Sequence, residues 1–135
     1  MICNELIVAE KVIFDQIGQQ VSIIGFWSDF INFAKIPAHP NFMIFISFKD
    51  DIAESKSGRI EKKATLQIKL NERIIREDTM SPSFDDPHTL SFSVIKLERL
   101  KIEEIGHLDF EVIIENDNKS IKTRKFLITN NKKTD

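Results

Sequence analysis

The sequence predicts an all-β protein: an antiparallel two-sheet sandwich of about seven strands, immunoglobulin-like in architecture, with at most one short helix. Two observations lead there. Apolar residues recur at every second position in "KATLQIKL" and "HLDFEVIIE", the pattern of a strand with one buried face, since successive side chains point to opposite sides. These stretches are short and joined by connections rich in Gly, Asn, Asp and Pro, with no long helical period between them. A single sheet would leave one apolar face in water, so two sheets must stack.

The elements follow in order. Residues 6–14 form a first strand ending at Asp15, and residues 20–27 a second that starts just past Gly18. The four-residue connection with Gly near its end fits an antiparallel turn. "SDFINFAKIP", residues 28–37, is either a short helix capped by Ser28 and stopped by Pro37 or an extended continuation; its β-branched and aromatic content favours the extended form. "NFMIFISFK" is apolar on both faces around Phe42, Ile44, Ile46 and Phe48, which suits a central or doubly covered strand. In residues 63–70, Ala64, Leu66, Ile68 and Leu70 share the buried face. Residues 49–58 and 76–88 read as polar loops, and 89–97 as another strand. "LERLKIEEIG", 97–106, is open between one or two helical turns and extended chain. Leu108, Phe110, Val112 and Ile114 point inward from residues 107–115, and the hairpin loop "ENDNKS" leads to a last strand at 120–129.

Composition bounds the rest. The 135 residues suit one domain, residues 1–135, with 130–135 as a frayed tail. A hydrophobic content of 41% and charged content of 30% mark a globular chain. The net charge of -2, with Lys and Arg dispersed, gives no nucleic-acid footprint. Cys3 is the single cysteine, so an intramolecular disulfide and a thiolate zinc site are excluded. The opening "MICNELIVAEKVIF" lacks a basic stretch, and Glu5, Glu10 and Lys11 interrupt its apolar run. No apolar stretch is long enough to span a bilayer, and a cytoplasmic location is expected.

"LIVAEKVIFDQIGQQVSIIGFW", "FAKIPAHPNFMIFISF" and the closing "GHLDFEVIIENDNKSIKTRKFLI" resemble a bacterial family of small, single-domain proteins of unknown function. The resemblance rests on strand patterns and covers most of the chain. It implies a β-sandwich and carries no functional residue.

The sequence offers few sites. His39 lies between Pro37 and Pro40 without a His or Cys partner at metal spacing, so the segment reads as a stiff connection. His88 and His107 add no close pair of the kind that puts two imidazoles on one strand face. Asp50, Asp51, Glu54, Asp85 and Asp86 are the candidate metal ligands, since sandwich loops can gather carboxylates around Ca²⁺; Lys49 and Lys56 beside the first pair favour solvated loops. Glu10 or Lys11 must interrupt an apolar face of the first strand, which fits a strand near a sheet edge.

"GFWSDFINF" is the leading interaction candidate. Phe26, Trp27, Phe30, Ile31 and Phe33 are too many to face one small core; either a remainder forms an outer apolar patch, or the segment spans the sheets and is buried on both sides. No catalytic constellation and no phosphate loop occurs, so neither an enzyme nor a cofactor is expected. The expectation is a binding or assembly module that captures a protein partner or self-associates through an aromatic patch or a sheet edge. The alternative is a loop-based Ca²⁺ or small-ligand binder. No nucleic-acid or membrane partner is expected.

Overall fold

A computed structural model describes residues 1–15, 20–27, 29–49, 63–82, 90–115 and 117–130. Among them the chain forms nine strands and no helix: β1 Ile2–Asp15, β2 Gln20–Phe26, β3 Phe30–Phe33, β4 Phe42–Lys49, β5 Ala64–Leu70, β6 Arg73–Met80, β7 Leu90–Leu97, β8 Gly106–Ile114 and β9 Asp117–Asn130. They make a four-stranded sheet, β2-β1-β4-β7, and a five-stranded sheet, β3-β9-β8-β5-β6. The arrangement is sandwich-like and all-β.

The inter-sheet layer follows the alternation. Ala64, Leu66, Ile68 and Leu70 of β5 and Leu108, Phe110, Val112 and Ile114 of β8 are buried on the inner face. Leu6 and Val8 of β1 and Phe42, Ile44, Ile46 and Phe48 of β4 oppose them in the same cluster. β4 is central, between β1 and β7, as its two apolar faces require. Its outward side chain Phe45 joins Ala9 and Val12 in a second, smaller cluster.

Two features depart from the expected seven-stranded antiparallel plan, and one reading left open is decided. Residues 73–80, of which 76–80 read as loop, form the edge strand β6 beside β5. Arg76 and Asp78, which pair with each other at 3.4 Å, stand opposite the inward-facing Ile68 and Leu66, and these charges at inward positions hide the period-two signal. The Asn71–Glu72 turn that joins it to β5 holds both residues at positive φ, 49° and 69°, the backbone that matches strand twist in a two-residue hairpin. Next, β3 runs parallel to β9, pairing Phe30 with Leu127 through Phe33 with Asn130, so the larger sheet is mixed. Finally, 97–106 is not helical beyond the end of β7. Ile102 N–H donates to Ala38 O at 2.8 Å, Ala38 N–H to Ile102 O at 2.9 Å, and Leu100 N–H to Pro40 O at 3.0 Å. Leu100 and Ile102 close one end of the core.

Glu10 and Lys11 lie in a half of β1 that, among the described residues, is paired on one side only, by β2. β1 lies between β2 and β4, but the two partners use different halves of it. β4 covers Ile2 to Ala9, and β2 covers Ala9 to Asp15. Beyond Ala9 the β1–β2 ribbon projects past β4, and there Glu10 and Lys11 reach solvent without interrupting the core.

Candidate functional site

The half-and-half pairing of β1 leaves one side of its first half without a strand partner, where β9 of the other sheet approaches it. β2 leaves β1 after the Ala9–Phe26 pair. The chain then crosses through Trp27 to the other sheet, where β3 joins β9 at Phe30. Among the described residues no strand pairs with residues 2–8 of β1 on the side away from β4. On the facing sheet, β3 covers only Leu127 to Asn130 of β9.

A cavity of about 450 Å³ fills this gap. Its walls include Asn4, Glu5, Leu6, Ile7 and Val8 of β1. Side chains alternate across a sheet, so an unbroken run of five lining residues means that the cavity lies along the strand's edge. Ile23, Phe26 and Trp27 form its apolar end, and Lys122 and Arg124 of β9 its opposite wall.

The two cations occupy a surprising row. Phe126 and Ile128 of β9 point into the core, and period two places Lys122 and Arg124 on the same inward face. Their cross-strand neighbours are the buried Val112 and Phe110. Arg124 is held: its Nη2 donates to Trp27 O at 3.2 Å, and its guanidinium lies 5.3 Å from the centroid of the Phe126 ring. Lys122 is exposed, and no ion pair among the described residues engages it.

Cys3 sits beside this edge, half-buried, with its thiol directed to Glu5 O at 3.6 Å. Burial pushes its pKa up to about 11, against the opposing pull of the Lys122 charge and the hydrogen bond to Glu5. The thiol is therefore protonated near neutrality and is a poor nucleophile.

The five aromatic-segment candidates are divided by the crossover. Phe26 is 66% exposed and lines the cavity. Trp27 is half-buried against the core, its ring edge-on to Phe42. Phe30 is 61% exposed on the outer face of the five-stranded sheet, paired with Leu127 and away from the cavity. Ile31 is a core residue with only 3% exposure, leaving no surface for a partner. Phe33 packs partly buried against the same core.

Asp50, Asp51, Glu54, Asp85, Asp86 and His88 lie outside the described residues. Among the described residues no group of three His, Cys, Asp or Glu side chains stands in metal-binding proximity. His39 is exposed in the segment that bridges to Ile102. His107 borders a second, polar cavity of about 450 Å³ with Asn71, Glu72, Asp109 and Lys125. The Asn71 amide latches that corner: Nδ2 donates to Ile105 O at 3.0 Å, and Oδ1 accepts from His107 N–H at 2.9 Å.

The sequence reading missed the β1 edge and the Lys122–Arg124 row. The row was readable in "IKTRKFLI", where the inward set is Lys122, Arg124, Phe126 and Ile128. The edge was not, because it depends on where β2 departs.

No family model matches the chain, and no curated protein matches it in sequence. No helix among the described residues is long and apolar enough to cross a membrane.

Proposed function

We propose that the protein is a non-enzymatic binding module that captures an extended polypeptide segment in the gap between β1 and β9. The segment adds as a strand to the unpaired side of β1, taking the place that β2 vacates at Phe26. Backbone hydrogen bonds give such an arrangement its affinity, and pockets for alternate side chains give it selectivity. The observation that carries the reading is the cavity of about 450 Å³ running along five consecutive residues of one strand edge. Phe26, 66% exposed at its end, is the apolar anchor.

An immunoglobulin-like frame, a cytoplasmic location and membership of the bacterial family that the strand patterns resemble belong to the same proposal. Its support is two stacked sheets with a short crossover between their edges, and a single cysteine that can form no intramolecular disulfide. Self-association through the same edge is the special case in which the captured segment comes from a second copy.

Trp27 is the single tryptophan and lines the gap, so its fluorescence reports occupancy. Titration with extended peptides is expected to change that emission saturably, and Phe26→Ser to weaken the response without altering the melt. Peptide binding unaffected by Phe26→Ser would refute the site. Light scattering at several concentrations identifies the self-association case.

A further inference from the structure

Two basic side chains stand on one wall of the gap. Lys122 and Arg124 stand on the inward face of β9, in a row otherwise continued by the buried Phe126 and Ile128. Both line the gap opposite the free edge of β1. A strand added to β1 would place alternate side chains toward the interior of the sandwich, on the side of Lys122 and Arg124. Arg124 is oriented by Trp27 O and the Phe126 ring. Lys122 keeps its ammonium for an incoming group; its reach into this space is felt by the Cys3 thiol, which its charge acts upon. Among the described residues Glu5 is the carboxylate on the wall, and it is exposed on β1.

We infer that the gap takes extended segments bearing acidic side chains, whose carboxylates meet Lys122 and Arg124 while neighbouring apolar side chains meet Leu6 and Phe26. This rests on the strand-capture reading. The pairing is electrostatic and partly solvated, so it tunes selectivity more than total affinity.

The test uses three short peptides of alternating Val and Thr, alike except that the central Thr residues are replaced by Glu, Gln or Lys. Binding to the full chain is followed by Trp27 emission and calorimetry. The Glu peptide is expected to bind best and the Lys peptide worst, with the difference shrinking as salt is raised. Lys122→Gln should weaken the Glu peptide roughly three- to fivefold, the scale of an exposed ion pair, and leave the Gln peptide unchanged. Lys122→Glu should invert the order. Circular dichroism confirms that both variants fold; Lys122 is exposed, so neither removes core packing. Equal binding of all three peptides, with Phe26→Ser weakening each, would overturn the acidic preference and leave strand capture standing. Binding of none would overturn both.

Discussion

The ring of Trp27 stands edge-on to that of Phe42, with centroids 5.2 Å apart and planes at 78°. Phe42 meets Phe110 at 5.9 Å, and Phe110 meets Phe126 at 5.8 Å, again edge-on. Four rings thus link the crossover to both sheets, an arrangement that aromatic quadrupoles favour. Trp27 fastens the crossover that leaves β1 half unpaired.

Trp27→Ala should therefore act on stability as well as on binding. Loss of a half-buried indole from this chain is expected to cost about 2–3 kcal/mol, below the range for a fully buried Trp. Trp27→Phe should recover most of it. Urea denaturation of the three proteins checks this; an unchanged midpoint for the Ala variant would mean that the ring chain does not hold the crossover.

A charge in the inter-sheet layer should prevent folding. Leu66 and Phe110 are both 0% exposed, and either replaced by Asp would bury an unpaired carboxyl besides losing about 2–3 kcal/mol of apolar burial. Ile24→Asp, at a position 50% exposed on β2, is the control and should fold. Circular dichroism melts distinguish them.

The Asn71 latch predicts intolerance at Gly106. Gly106 has φ of +135°, and a Cβ there would run into the Asn71 side-chain amide. Gly106→Ala should destabilise by about 1–3 kcal/mol through backbone strain alone, with more from the clash. Asn71→Ala should cost roughly 1–2 kcal/mol for its two hydrogen bonds. The double variant should lose less than the sum of the two, because removing the amide also removes the clash.

The Cys3 thiol predicts an alkaline loss of stability. Its pKa rises from the ordinary 9.0 to about 11 on folding, chiefly through burial. A raised folded value means that the contribution is fully present below pH 9 and is lost as pH climbs towards about 11. The wild type should lose more stability over that window than Cys3→Ser does. Thiol alkylation at pH 8 should also be slower in the folded chain than in denaturant. Equal alkylation rates would contradict the burial.

Much of the fold was legible because period two reports burial directly. Leu66, Ile68 and Leu70 and Phe110, Val112 and Ile114 name the inner face before any partner strand is known. β6 was illegible because an edge strand can be polar on much of its surface, and its tight turn carries Glu72 where Gly would have signalled it. Phe26, Trp27 and Ile31 were legible as an apolar surplus; which of them faces water was not, since that depends on where the chain changes sheets.

By itself the sequence determined the all-β class, the inward residues of β5 and β8 and the two apolar faces of β4, because alternation and local turn chemistry act over a few residues. Tertiary structure alone decided the parallel β3–β9 pair, the unpaired half of β1 and the meeting of that edge with Lys122 and Arg124. Those depend on the register at which β2 leaves β1, a relation between segments about a hundred residues from β9, for which no local pattern carries a signal.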